Sequence, residues 1–464
     1  MNRLVPDRVR VRRRVSLWLC CALVGGLQPV ALPAADKPSQ ATILPSAQAA
    51  FGRGRYEEVI RLLESVPPGQ EPPRAALKLG LLSHVRLGHP EVALKLYALM
   101  VPKGAPEDQS LLRAIAWGVL RSHARDRQEH VRLVAFTALA DLGHPDAIPL
   151  LEDGLLDGSA LVRVRAAEGL GRVAERMKGA RGKVPTTGLT RAASDPAASV
   201  RIAAVNALGQ TGGPGVQDLL TKMTQAEEGA PGVFAAGALV RLGRTDALSD
   251  VISAATLPDA DSRMAALGVL GSLKHRAGLK TLTQAVYDPE PAVRAFAAGA
   301  LGEFGSPEGA AALIHAIGDE DPRVRSVAAA SLGRLRLPDT KPLLWQAARD
   351  PVPFVRAGGV EGLLRIGDRE ALLVATDLAQ HQDPAVRAAA AQSLGQSGQP
   401  NALPVLEQLM QDQQPQPRLA TARALGRIPG WSVITPLKKA LQDTEPAVRL
   451  AAAGSLLQTL SRPK

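Results

Sequence analysis

At 464 residues the chain exceeds one ordinary hydrophobic core, so several domains or a repeat array are expected. Hydrophobic residues make up 46% but aromatics only 3%, which leaves a core of Ala, Leu and Val, the palette of a helical protein. The formal charge of +11 overstates the basicity of the folded part: residues 1–34 hold six Arg and one Asp, a net of +5, and the remaining +6 with scarce aromatic platforms argues against a nucleic-acid binder.

Residues 1–35 read as a signal peptide. Arg3, Arg8, Arg10, Arg12, Arg13 and Arg14 form a basic lead, and an uncharged, mostly apolar stretch of 13 residues follows from Val15 to Leu27. A spanning helix needs roughly 20 apolar residues, so this stretch suits a secretory signal cut near Ala34 or Ala35, with an uncleaved anchor as the alternative. The expectation is an exported protein with no stable membrane span in its mature form, periplasmic in a Gram-negative bacterium and otherwise secreted. Both cysteines, Cys20 and Cys21, lie in this segment. The mature chain then has no disulfide, thiol nucleophile or Cys-ligated zinc.

Residues 41–106 predict two helical hairpins, each a helix, a Gly turn and a second helix. Gly54, Tyr56 and Val59 in the first, and Gly88, Ala93, Tyr97 and Pro102 in the second, resemble tetratricopeptide repeats, although the large residues usual in the first helix are missing.

From residue 107 to the end a repeat dominates. Arg263, Arg294, Arg325, Arg356, Arg387, Arg418 and Arg449 are spaced by 31 residues, each within a segment of the form V-R-x-A-A-A-x-x-L-G. Three residues before six of them stands a proline (Pro291, Pro322, Pro353, Pro384, Pro415 and Pro446), the residue favoured at the first helical position. Asp321 and Asp383 precede two of these prolines as N-caps. Six residues before most of the arginines lies an aspartate (Asp126, Asp157, Asp195, Asp288, Asp319, Asp350, Asp412 and Asp443), and six before the aspartates a leucine that begins an i, i+3, i+4 apolar stripe. Each unit therefore predicts a first helix, a turn holding the Asp, and a second helix opening with Pro and Arg. Extending the frame backwards adds Arg132, Arg163 and Arg201, with Ala235 where the Arg is lost, which makes eleven second helices.

This pattern resembles the HEAT-repeat family, particularly its phycobilisome-lyase-like branch, over about residues 108–460. The resemblance implies an all-α solenoid, with second helices on the concave face, first helices on the convex face, and Asp and Arg joined in a ladder between neighbouring repeats. It also raises, as an alternative function, bilin-lyase-like chromophore transfer or other small-ligand binding.

No nucleophile elbow, phosphate-binding Gly-Lys loop or dinucleotide fingerprint occurs, and the eight histidines are scattered without metal-ligand spacing. Neither catalytic nor cofactor nor metal residues are assigned, and the chain is read as a non-catalytic scaffold. The repeat arginines belong to the ladder rather than to a free basic stripe. Nine residues after each ladder position the eleven repeats read Asp141, Arg172, Gln210, Arg244, Ser272, Glu303, Arg334, Arg365, Gln396, Arg427 and Gln458. Five arginines against two acids fit an acidic protein partner; arginines near helix C-termini also complement the macrodipole with no ligand at all. Between Arg163 and Arg201 the spacing is 38, and the extra residues carry Arg176, Lys178, Arg181 and Lys183, either a cationic binding finger or a solvated loop. Residues 225–258 read as a second break in the repeat.

Overall fold

Pro291, Pro322, Pro353, Pro384, Pro415 and Pro446 each open a helix in the computed structural model, where a missing N–H breaks no hydrogen bond. The caps read from the sequence are in place: the Asp321 and Asp383 carboxylates accept from the amides of Arg323 and Ala385. The structure describes residues 40–67, 70–102, 105–177 and 184–462. Residues 1–35, read from the sequence as a signal peptide, and Lys178, Arg181 and Lys183 lie outside the described residues.

The chain divides into two compact units at Gly118. The first holds α1 (Gln40–Gly52), α2 (Tyr56–Glu64), α3 (Arg74–Arg86), α4 (Pro90–Met100) and the start of α5 (Gln109–His123). Ile43, Ala47, Ala50, Val59, Leu63 and Ala76 form a buried cluster there. The α1–α2 and α3–α4 turns pass through Gly54 and Gly88, at φ +71° and +81°, where a side chain would be strained. Tyr97 is buried with its hydroxyl donating to Glu107 at 2.6 Å and accepting from the Asp108 amide at 2.9 Å.

The second unit is a succession of helix pairs. After α5 come α6 (Glu129–Leu142), α7 (Ile148–Gly154), α8 (Ala160–Arg176), α9 (Thr187–Ala192), α10 (Ala198–Thr211), α11 (Val216–Ala226), α12 (Ala230–Arg241), α13 (Leu248–Ala254) and α14 (Ala260–Leu273). Then follow α15 (Leu279–Gln284), α16 (Pro291–Phe304), α17 (Ala310–Ala316), α18 (Pro322–Arg334), α19 (Lys341–Ala347), α20 (Pro353–Arg365), α21 (Ala371–Ala379), α22 (Pro384–Ser397), α23 (Leu403–Leu409), α24 (Pro415–Leu425), α25 (Ile434–Ala440) and α26 (Pro446–Leu460). The even-numbered helices from α6 to α26 are the eleven second helices. Their repeat valines and leucines (Val293 and Leu301 in α16, Val324 and Leu332 in α18) are fully buried, as is the leucine of each preceding first helix, such as Leu313 or Leu344.

Each second helix packs closely on the next second helix, whereas successive first helices barely touch. The second helices therefore form the tight inner layer and the first helices splay outside. What the repeat pattern did not foretell is the end of this path: α26 packs against α6, so the array expected to be an open solenoid closes on itself. Eleven helices at the roughly 9 Å spacing of packed helices make a circle about 30 Å across between axes.

The approach of inner helices rests on small residues. A Cβ at Gly333 would stand 2.2 Å from the Gly362 Cα, and one at Gly395 would stand 2.6 Å from the Ala424 Cα. The same relation joins Gly209 to Ala238, Gly271 to Ala300, Gly302 to Ser331 and Gly426 to Ser455.

This register corrects the reading of the fourth repeat. Ala238 meets Gly209 as Ala300 meets Gly271, so the ladder position of α12 is Gly232, three residues before Ala235. The spacing of 31 then runs unbroken from Arg201 through Gly232 to Arg449, and residues 225–258 are no break. The pair Leu242-Gly243 imitates the motif's L-G. The core leucine is Leu239, which is buried, whereas Leu242 is half-buried and Gly243 lies in the turn at φ +102°.

The glycines give a paired test. Gly299→Ala, whose Cβ would meet Val327 at an ordinary 3.5 Å, should raise the thermal midpoint through a gain of about 0.5–1 kcal/mol in helix propensity. Gly333→Ala should lower it despite the same propensity gain, since displacing packed backbone costs about 1–3 kcal/mol or more. Circular dichroism melts of the two variants check the contrast.

Candidate functional site

The ladder accounts for most of the repeat arginines. Arg294 donates through Nε and Nη2 to Asp319 Oδ2 and Oδ1 of the next repeat at 2.7 and 2.9 Å, while its Nη1 reaches the carbonyls of Asp288 and Pro289, both at 3.1 Å. Asp319 Oδ1 in turn accepts from the Asp321 amide at 2.9 Å, fixing the turn. The same two-pronged link joins Arg132 to Asp157, Arg163 to Asp195, Arg263 to Asp288, Arg325 to Asp350, Arg387 to Asp412 and Arg418 to Asp443. Arg201 makes a single bond to Glu227, at 3.0 Å. Its fellows carry nothing to spare for a ligand.

The ladder fails at three places. Gly232 offers no guanidinium. His381 replaces the aspartate that Arg356 needs, and the Arg356 Nε is buried without a partner. At the closing seam between α26 and α6, Arg449 donates only to the carbonyls of its own repeat, Asp443 and Thr444, at 2.8 and 3.0 Å. The two helices pack closely there, with a Cβ at Gly454 3.0 Å from the Ala138 Cβ.

The C-terminal ends of the inner helices carry the other charged groups. Arg172 pairs with Asp141, and Arg176 donates to the carbonyls of Leu142 and Asp141. Arg334 and Arg365 share one buried acid, Glu361, at 3.7 and 3.1 Å. They are tied down rather than presented free. Arg244 is displaced from the rim by the corrected register; it lies in the following turn, paired with Asp246 at 2.7 Å. The rim residue of α12 is Arg241, which donates to Ser272 Oγ at 3.0 Å and lies within electrostatic reach of Glu175 and Glu303. Arg427 is exposed, and its side chain has no hydrogen-bonding or ion-pair partner among the described residues.

Four arginines line one cavity of about 180 Å³: Arg172 and Arg176 from α8, Arg423 from α24 and Arg427 from the turn after it, together with Asp141 of α6. Small residues, Ala138, Ala451 and Gly454, complete the lining across the seam. Arg423 is half-buried and without an acceptor among the described residues. Burial pulls its acid constant below the usual arginine value; Asp141 opposes this, and Arg165 and Arg427 add to it. Arg423 went unremarked in the sequence because it sits five residues after the ladder arginine, not nine. A signal was there: the same position is Gly237, Gly268, Gly299, Ala330 and Gly454 in five other repeats and Thr137, Glu168, Asn206, Glu361 and Gln392 in the rest, so Arg423 is the one cation in that column.

Among the described residues there is no group of three or more His, Asp or Glu placed to hold a metal ion, and no helix is long and apolar enough to cross a membrane.

Helical hairpins packed through small residues and linked by an Arg–Asp ladder define a helical-repeat protein of the α-solenoid class. The profile for HEAT repeats matches residues 115–171, 155–231, 279–364, 347–422 and 404–463, and the chain belongs to the HEAT-repeat family. Among solved structures, human deoxyhypusine hydroxylase in complex with glycerol is similar at 20% identity over 55% of this chain and 97% of its own, with a TM-score of 0.30. The complex of CpcE and CpcF of phycocyanin lyase from Nostoc sp. PCC7120 is similar at 19% identity over 53% and 96%, with a TM-score of 0.38. A Kap121p mutant is similar at 16% identity over 84% and 48%, with a TM-score of 0.31. No curated protein matches the chain.

The ladder sets the acid limit of the fold. Arg163 beside Asp195, and Arg387 beside Asp412, hold these carboxyls below their usual value of 3.8. A carboxyl depressed in the folded state stabilises fully above about pH 4, and that contribution is lost as pH falls through the folded values. Chemical denaturation followed by circular dichroism should give a flat midpoint from pH 5 to 7 and a steep fall below about 4. Asp319→Ala should lower stability by about 3 kcal/mol at neutral pH, because it strands Arg294.

Proposed function

We propose that this protein is an exported, non-catalytic binding scaffold whose inner layer and rim hold a protein partner. The observation that carries the reading is the rim itself. In the corrected register its eleven residues are Asp141, Arg172, Gln210, Arg241, Ser272, Glu303, Arg334, Arg365, Gln396, Arg427 and Gln458, polar without exception. They stand at the ends of rigid, mutually packed helices, the kind of support that keeps hydrogen-bonding groups in fixed places. Two turns before the rim, on the inner helix α16, the Phe296 ring lies over Gly268, 43% exposed, an aromatic of the type that anchors protein interfaces. Arg172, Arg241, Arg334 and Arg365 are engaged within the chain, which leaves Arg427 as the rim arginine to meet an acidic group of the partner. Export through residues 1–35 would place this encounter outside the cytoplasm.

Two measurements test the reading. Cell fractionation should find the protein outside the cytoplasm, with an N-terminus close to Ala35; a cytoplasmic protein that keeps Met1 would refute export. Cross-linking in intact cells followed by mass spectrometry should yield one reproducible protein partner. Phe296→Ala should weaken its capture about tenfold with little change in the thermal midpoint. Empty cross-links from the native protein, or capture indifferent to Phe296, would sink the scaffold reading at this face.

A further inference from the structure

The seam between α26 and α6 is one of three interfaces that lack the ladder bond, and it is the one at which four arginines gather. These facts come from different residues. Arg449 finds no aspartate across the seam, and the contact is carried by Gly454 against Ala138. At that contact, α24 and the turn after it on one side and α8 on the other bring Arg423, Arg427, Arg172 and Arg176 to one cavity. Arg172 has Asp141 and Arg176 has two carbonyls, but Arg423 and Arg427 have neither.

The surrounding charges do not relieve them. Arg165 is engaged by Glu168 at 2.7 Å. Arg462 donates to the carbonyls of Ile428 and Gly426, at 2.8 and 2.6 Å, and lies close enough to Arg176 for their charges to repel. Glu175 is within electrostatic reach of Arg241. Arg423 thus stands half-buried with like charges beside it and one shared carboxylate near it. A guanidinium in that setting is stabilised by an anion offering two or more oxygens, since its donors form a fixed fork matched to carboxylate and phosphate.

We propose that this cavity is a binding site for a small oxyanion, a phosphoryl or carboxylate group held by Arg423 and Arg427 with Arg172 and Arg176 facing them, and that the bound anion fastens the ring across its seam. The ligand takes the place that a ladder aspartate takes at other interfaces: it joins arginines on the two sides. Neither the site nor its effect on closure depends on the scaffold reading. A protein partner at Phe296 could be absent with the anion site intact, and the reverse holds too.

The test uses the folded chain from residue 36 onward, titrated calorimetrically with inorganic phosphate and separately with succinate, each against sodium chloride of equal ionic strength. Saturable binding is expected for at least one, with a rise in thermal midpoint that chloride does not reproduce. Phosphate alone, succinate alone, or both would each support the site and name its ligand chemistry. Arg427→Ala, an exposed position, should weaken binding at least tenfold, as should Arg423→Gln, one charge-assisted hydrogen bond being worth about that much. Arg276→Ala, at a fully solvated position elsewhere, should leave binding unchanged. Hydrogen exchange with and without the anion should slow in both 129–142 and 446–460. No saturable binding of either anion, binding that survives Arg427→Ala and Arg423→Gln, or slowed exchange confined to α24 would overturn the proposal. Should Arg423→Gln fail to fold, Arg427→Ala decides alone.

Discussion

How closely two inner helices can approach determines nearly everything else in the 119–464 unit. Where Gly333 faces Gly362, or Gly395 faces Ala424, there is no room for another carbon, and the backbones meet almost directly. Successive first helices barely touch and stay farther apart. A stack that is tight on one side and loose on the other must bend toward the tight side, and a constant bend repeated eleven times returns to its start. The ladder then works on this geometry rather than creating it. Its bidentate bonds lie in turns between repeats, where they hold a spacing already imposed by the small residues.

Much of this was legible in the sequence. The prolines marked helix starts because a ring nitrogen is harmless only at the first turn, and the structure places helices where they stand. The leucines six residues before each aspartate are buried, and Arg and Asp meet across repeats. The register of α12 was not legible, for a physical reason: Gly232 removed the arginine that serves as a marker, while Leu242-Gly243 offered a false one three residues late. Closure was not legible either. Periodicity reports what each repeat is, whereas closure depends on the sum of small rotations between repeats, which no single motif encodes.

The rim shows the same limit. Charge counted along a sequence cannot distinguish a presented arginine from a satisfied one. Arg334 and Arg365 look like a positive band until Glu361 is seen paired with both, from a column five residues after the ladder arginine that the sequence pattern did not single out. Arg423 is the converse, a residue embedded in a run of small side chains that emerges with no partner. Such residues are found by comparing the same column across all repeats, since an anomaly in a column is visible only against the others.

Closure has a consequence for ancestry. An open solenoid can gain or lose a hairpin at either end and needs terminal units with polar outer faces to end its core. In this protein α6 and α26 each serve as the other's end cap, so no terminal face is left to be made polar. A duplication or deletion of one 31-residue unit, harmless in an open array, would change the circumference and pull the last helix off the first. Repeat number is then an inherited constant. The lineage of such a protein should vary by substitution within columns and by loops such as that between α8 and α9, while its count of hairpins stays fixed.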